Sequence, residues 1–370
     1  MAFVWLAASG CWKTELAELP SSAVAFAPAD IAVPAGWVVE PIESTLTCPD
    51  GGKSTYYVVY PKGTTTPLPA AVIYHPGAFD YVFAPDPAAP LDGAHYANPP
   101  RLSRDWSVRQ VFVTLGMIPA DTEAEAQSGA LPAALANAGI AMILPGNCWG
   151  DWWHNLQGSA ENQFVDPNGD FFFRNGRASA EWGYRFLVDP GFAAGQQVIL
   201  PFPVDTARVY AIGLGSGGRA VGELLTVDGP DEDTLPDLTP TGVLVDSLAE
   251  DFGPWYADPA KHAGIVAGLD RIFPGGEETT DAGSLFAAPA LPERTLYAFD
   301  PADPAIPPGA HGRIMARLDA EGGVVWPVEA VTRPVTNGAD PAIAQAAVAY
   351  LVDGTAPPVS FIGTLDTGVP

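Results

Sequence analysis

Short apolar runs recur along most of the chain, separated by polar stretches or by stretches rich in glycine and proline. Most of the runs are apolar at nearly every position and contain many β-branched and aromatic residues. This pattern is typical of parallel strands that are covered on both faces of a sheet. The predicted strands are Thr55–Tyr60, Ala70–His75, Ile140–Leu144, Arg208–Gly213, Gly242–Asp246, Arg294–Phe299 and Val324–Val328.

Segments of helical character lie between these strands. They are Ala130–Asn137, Ala178–Phe186, Arg219–Leu225, Gly312–Leu318 and Pro341–Leu351. Alternation of strands and helices predicts an α/β fold with a doubly wound, mostly parallel sheet. The first two strands are joined by Pro61-Lys62-Gly63 and a short Thr/Pro loop, and we expect them to start the sheet as an antiparallel pair.

The pattern predicts one domain over residues 41–355, an N-terminal tail over 1–40 and a C-terminal tail over 356–370. Loop-rich insertions interrupt the domain at about 79–129, 226–240 and 251–292. Long loops inside a compact domain are usually lids or binding loops, so we expect a cap over the carboxyl ends of the strands.

The composition fits a globular protein, since 370 residues with 48% apolar residues can bury a substantial core. The net charge of −26 argues against nucleic acid or an anionic membrane as a partner. No apolar run reaches the roughly 20 residues that a membrane-spanning helix needs, so none is predicted.

The first eleven residues are apolar and end in Ala8-Ser9-Gly10-Cys11. Small residues before a cysteine resemble the lipobox of a bacterial lipoprotein signal, although the basic start of a signal peptide is missing. This interpretation predicts a lipid anchor at Cys11 and an extracytoplasmic location. The alternative is an ordinary buried N-terminal segment. If Cys11 carries lipid, Cys48 and Cys148 remain as a candidate disulfide pair in an oxidising compartment. Alternatively, each is a small buried apolar residue.

The chemically most informative segment is 209–218, where an apolar strand enters a glycine-rich turn that opens a helix. It resembles the G-x-S-x-G nucleophile elbow of the α/β-hydrolase superfamily, in the extended form found in esterases and dipeptidyl-peptidase-like enzymes. In the register Gly213-Leu214-Gly215-Ser216-Gly217, the nucleophile position holds Gly215, which has no side chain. Ser216 takes the next position, whose backbone N–H serves the oxyanion hole in that family.

Two further segments resemble the same superfamily. His75-Pro76-Gly77-Ala78 follows a predicted strand, as does the HGG-type loop that completes an oxyanion hole, although Pro76 lacks a backbone donor. Asp303, followed by Ile306-Pro307-Pro308, resembles the late-strand segment that carries the acid of the catalytic triad.

The expected catalytic histidine is missing. The segment between the last strand and the last helix, residues 329–340, contains none, and Asn337 stands where the histidine is expected. The histidines of the chain are His75, His95, His154, His262 and His311, and none fits the triad. Because a serine without a general base is a weak nucleophile, the leading hypothesis is a non-catalytic homologue of serine esterases. It would bind a small-molecule or polymer ligand, or a partner, in the residual cleft.

Two alternatives stay open. An active esterase would use Ser216 and Asp303 with a base from an unusual position, such as His262 or His311. A dinucleotide-binding protein would use Gly213, Gly215 and Gly218 as a G-x-G-x-x-G fingerprint for NAD. That fingerprint requires an acid about 20 residues on, whereas the next strand ends later, at Asp246.

An aromatic segment follows the strand Ile140–Leu144 and therefore lies at the ligand-binding edge of the predicted sheet. Trp149, Trp152 and Trp153 could stack on a sugar or aromatic ligand, with polar contacts from His154. Alternatively, the tryptophans fill the space beneath the long insertion. No spacing of histidines or cysteines matches a metal site, and neither a metal nor a cofactor is predicted by the leading hypothesis.

Overall fold

The structure is a computed structural model. It describes residues 31–47, 53–74, 112–118, 129–145, 183–215, 217–226, 239–246, 253–257, 266, 284–301, 309–328, 334–337 and 340–358. All structural statements below concern these residues.

Eight strands form one sheet in the order β1-β2-β4-β3-β5-β6-β7-β8. Their bounds are Trp37–Thr47 (β1), Lys53–Pro61 (β2), Leu68–Tyr74 (β3), Ala141–Pro145 (β4), Val204–Leu214 (β5), Gly242–Asp246 (β6), Arg294–Phe299 (β7) and Val324–Pro327 (β8). Strands β3 to β8 are parallel, and β1 and β2 form an antiparallel edge. The predicted doubly wound, mostly parallel α/β sheet is therefore confirmed.

The predicted pairing of the first two sequence-assigned strands is wrong. These strands are β2 and β3, and β4 lies between them, antiparallel to β2 and parallel to β3. A short connection suggests a hairpin, but β3 is apolar on both faces and gains a parallel neighbour on each side instead.

Strand β1 was not predicted from the sequence, and the reason lies in its position at the edge of the sheet. Among the described strands it pairs only with β2, and several of its side chains are exposed, so its apolar pattern is weak. Pro41 lies within it, opposite Tyr57. Proline is tolerated at an edge because only one side of the strand needs hydrogen-bond donors.

The helices that the structure describes are Ala130–Asn137 (α1), Pro190–Gly195 (α2), Gly217–Thr226 (α3), Gly253–Ala257 (α4), Gly312–Glu321 (α5), Pro334–Asn337 (α6) and Pro341–Asp353 (α7), with further helical residues at 112–114, 183–188 and 266. Of the predicted helix Ala178–Phe186, residues 178–182 lie outside the described part.

Helices cover the two faces of the sheet separately. Helices α3 and α5 and residues 183–188 pack on one face, together with Val72, Ala211 and Val245. Helices α1 and α7 pack on the opposite face. The sheet is therefore the middle of three layers, which explains why its central strands are apolar at successive positions.

None of the helices within the described ranges has the length and apolar character required to cross a membrane.

Candidate functional site

The turn between β5 and α3 has the geometry of a tight strand-to-helix elbow. Strand β5 ends at Leu214, α3 begins at Gly217, and Gly215 has a backbone φ of +52°. The N–H of Gly215 donates to the main-chain oxygen of Asp246 at 2.8 Å, and the N–H of Gly218 donates to the oxygen of Gly215 at 2.9 Å. The tip of the elbow thus has the left-handed backbone that glycine adopts without steric cost.

Gly213 and Gly218 bring the strand and the helix into direct backbone contact. A Cβ placed on Gly213 would lie 2.5 Å from the Cα of Gly218 and 2.7 Å from the oxygen of Gly217. No side chain fits at that distance. This contact explains physically why small residues flank the tip of the turn.

The elbow lies where the chain connections on the sheet reverse direction. Strands β3 and β5 are neighbours, and Tyr74 pairs with Gly213 at their carboxyl ends. Between β3 and β4 in the chain, helix α1 packs on one face of the sheet, whereas α3 follows β5 on the other. Ligands of open α/β sheets bind at such a switch point, outside the carboxyl ends of the strands.

Asp246, the last residue of β6, connects the elbow to a distant part of the chain. Its carboxylate is fully buried and accepts hydrogen bonds from the N–H of Val335 at 3.1 Å, the N–H of Thr336 at 2.9 Å and the hydroxyl of Thr336 at 2.5 Å. Three donors satisfy a buried carboxylate that would otherwise be strongly destabilising.

The short helix α6, Pro334–Asn337, is the segment that Asp246 holds. It ends at Asn337, which occupies the position expected for the catalytic histidine. Asp246 therefore links the position expected for the nucleophile to the segment expected to carry the histidine. Its main-chain oxygen binds Gly215, and its carboxylate binds the residues preceding Asn337. The side chain of Asn337 lies outside the described part.

His311 stands immediately before α5 and is part of the core. Its Nδ1 is hydrogen-bonded to the hydroxyl of Tyr297 at 2.7 Å, and its ring lies 4.2 Å from that of Phe299. Burial lowers the pKa of His311 from 6.5 to about 4, because a charged ring would lose its hydration. The imidazole is therefore neutral at physiological pH.

Most other predicted site residues lie outside the described residues. These are His75, Gly77, Ala78, Trp149, Trp152, Trp153, His154, Ser216, His262 and Asp303. The chain does leave β3 at Tyr74, β4 at Pro145 and β7 at Phe299, and these strands are parallel. The segments containing His75, Trp149 and Asp303 thus follow strands that end at the same edge of the sheet as the elbow.

The role of Asp246 was not predicted from the sequence. An acidic residue that ends an otherwise apolar strand, one strand from the elbow, is the signal that marks it. Its partners, 89 and 90 residues further along the chain, have no sequence signature. No group of three or more His, Cys, Asp or Glu side chains that could hold a metal ion occurs in the described segments.

The described part of the chain has a doubly wound, mostly parallel α/β fold, with its glycine elbow after the fifth strand. No protein-family model and no curated protein sequence matches the chain. Several solved structures are similar, and they are esterases and an oligopeptidase of the α/β-hydrolase superfamily.

Carboxyl esterase 2 from the fungus Tuber melanosporum is 13% identical, with 94% of this chain and 93% of that chain covered and a TM-score of 0.46. A structure from the analysis of two fungal esterases from Rhizomucor miehei is 15% identical, with coverages of 95% and 90% and a TM-score of 0.48. Oligopeptidase B from Leishmania major is 14% identical, and the match covers 87% of this chain and 38% of that one, with a TM-score of 0.44. At these identities the likeness concerns the fold alone.

Proposed function

We propose that this protein is a non-catalytic member of the esterase-like α/β-hydrolases, which binds a small-molecule or polymer ligand in the cleft above the elbow. The observation that carries the proposal is the left-handed backbone of Gly215 between β5 and α3. In an active enzyme of this type the residue at the strained tip supplies the nucleophile. Gly215 has no side chain that could attack an ester.

The absence of a base supports the same conclusion. Asn337 ends the segment that Asp246 holds beside the elbow, and the sequence contains no histidine after His311. His311 is a poor candidate for an unusual base, because its Nδ1 is engaged by Tyr297 and its low pKa makes it a weak proton acceptor. This weakens the alternative of an active esterase that uses Ser216, Asp303 and His311.

The dinucleotide alternative is also weakened. A nucleotide-binding fold of that kind uses the acid at the end of the next strand to bind ribose hydroxyls. Here that acid is Asp246, which is fully buried and occupied by the donors of Val335 and Thr336. Its carboxylate is directed into the protein, so it is not presented to a ribose.

The test is a comparison of the full chain with Ser216→Ala. Both proteins are incubated with p-nitrophenyl butyrate and, separately, with a fluorophosphonate probe that labels activated serines. We expect p-nitrophenyl butyrate to be hydrolysed no faster with either protein than in buffer alone. We also expect the probe to leave Ser216 unlabelled in the unmodified chain. A serine without a base lacks the activation that both reactions need.

Hydrolysis or labelling that is present in the unmodified chain and lost in Ser216→Ala would overturn the proposal in favour of the active esterase. Circular dichroism of both proteins is the control for folding, since an unfolded protein also fails to react.

A further inference from the structure

We propose that Asp246 is a positioning residue that couples the elbow to α6, on the two sides of the cleft. A displacement of the elbow is then transmitted to α6, and a displacement of α6 is transmitted to the elbow. The inference rests on the proposed function, since it concerns the cleft in which the ligand is proposed to bind. Here the elbow means residues 213–215 and 217–218.

The two contacts of Asp246 come from different parts of the same residue. Its main-chain oxygen accepts from the N–H of Gly215 at the tip of the elbow. Its carboxylate accepts from Val335 and Thr336 of α6. Only the few covalent bonds of one aspartate therefore separate the amide of the elbow from the amides of α6.

The surroundings of Asp246 leave it little freedom to move. Asp246 lies opposite Leu214 on β5 and Ala298 on β7, within the paired region of three parallel strands. Laterally paired residues of a sheet share a face, and this face is covered by α1, α6 and α7. A change at one contact is therefore not absorbed by rotation of the side chain into solvent.

Burial also makes the side-chain contacts hard to replace. Asp246 is 0% exposed and Thr336 is 2% exposed, so water cannot readily take the place of a lost donor. A buried carboxylate that loses its partners pays the full cost of desolvation. Helix α6 is therefore held in one position relative to β6, and through Gly215 relative to the elbow.

The first experiment measures residue-resolved amide hydrogen exchange in the full chain, in Asp246→Asn and in the control Asp300→Asn. The control makes the same chemical change at another buried acid, just beyond the end of β7. We expect Asp246→Asn to speed exchange about tenfold or more at Val335, Thr336 and also Gly215, because local opening sets these rates. In Asp246→Asn, the amides of strand β2 keep the exchange rates of the unmodified chain. In Asp300→Asn, the amides of Val335, Thr336 and Gly215 also keep those rates.

The exchange rate of the Gly215 amide is the decisive measurement. Asp246→Asn keeps the main-chain oxygen that binds this amide, so a role confined to holding α6 would leave its exchange unchanged. Faster exchange at Val335 and Thr336 alone, with Gly215 unaffected, would overturn the coupling.

A second variant tests the reverse direction and does not depend on the folding of Asp246→Asn. Gly215→Ala strains the tip of the elbow and leaves Asp246 and α6 unaltered. Since coupling between two sites is reciprocal, we expect faster exchange at Val335 and Thr336. Unchanged rates at these amides contradict the inference, whereas hydrolysis that depends on Ser216 would overturn the proposed function and leave the coupling standing.

Discussion

At the scale of single residues, the two glycines of the elbow are constrained in different ways. Gly213 has no space for a side chain, because the backbone of Gly217 and Gly218 lies within 2.7 Å of its would-be Cβ. Gly215 is constrained by its φ of +52°, a conformation that costs other residues roughly 1 kcal/mol or more.

This difference predicts the effect of alanine at each position. Gly213→Ala forces backbone atoms apart, and we expect it to lower the free energy of unfolding by about 3 kcal/mol or more. Gly215→Ala is expected to cost about 1 kcal/mol. Urea denaturation followed by circular dichroism measures both values.

Two other glycines serve as matched controls. Gly63 has a φ of +75° and open space around its would-be Cβ, so Gly63→Ala isolates the cost of the backbone angle. Gly195 lies in α2 with open space and no positive φ, so Gly195→Ala should be neutral or stabilise the protein by up to about 1 kcal/mol. A Gly213→Ala protein as stable as Gly195→Ala would show that the strand and the helix are too far apart for a Cβ on Gly213 to meet the Cα of Gly218 at 2.5 Å.

At the scale of elements, α7 has a well-defined N-terminus. The carboxylate of Asp340 accepts from the N–H of Ala342 at 2.9 Å, and Pro341 occupies the first turn. Proline costs nothing there because its missing N–H has no partner within the helix.

We therefore expect Asp340→Ala to lower the free energy of unfolding by about 1 kcal/mol, the usual value for a lost N-cap. Asp340→Ser keeps a side-chain acceptor and should restore most of the loss. Chemical denaturation of the three proteins measures the effect. Equal stability of Asp340→Ala and the unmodified chain would mean that the cap contributes nothing.

The elements that could be predicted from the sequence are those with strong local signals. Gly242–Asp246, Arg294–Phe299 and Ala130–Asn137 have the predicted bounds, because each contains a strongly apolar stretch between clear turn residues. Strand β1 was missed because edge exposure and Pro41 dilute its pattern. The position of β4 between β2 and β3 depends on long-range pairing, which a short connecting loop does not reveal.

The same limit applies to the candidate site. The glycine elbow was recognisable because strand, turn and helix are contiguous in sequence. The link from Asp246 to α6 was not, since it joins residues 89 and 90 positions apart through backbone amides that any residue type provides.

At the scale of the whole molecule, His311 predicts how stability depends on pH. Its pKa is about 4 in the folded protein, against 6.5 for an exposed histidine. Between these values the unfolded chain binds the proton more readily, so stability falls as the pH drops from 6.5 towards 4 and is unaffected by this group above 6.5. The full effect is roughly 3 kcal/mol at most.

The contribution is measured by urea denaturation at several pH values in the unmodified chain and in His311→Gln, which does not titrate. Carboxyl groups act in both proteins, so the difference between them isolates the histidine. We expect the stability of the unmodified chain relative to His311→Gln to fall, by roughly 3 kcal/mol at most, as the pH drops from 6.5 to 4. A constant difference across this range would contradict a buried neutral imidazole.

Because the partners of the Asp246 carboxylate lie 89 and 90 residues further along the chain, its contacts form in a fixed order while the chain is synthesised on the ribosome. When β6 has emerged but Val335 and Thr336 have not been translated, the carboxylate lacks the donors that these two residues supply. The glycine tip can meet its main-chain acceptor as soon as β6 has paired with β5. The contact between β6 and α6 therefore forms late in biosynthesis, after most of the sheet has been made.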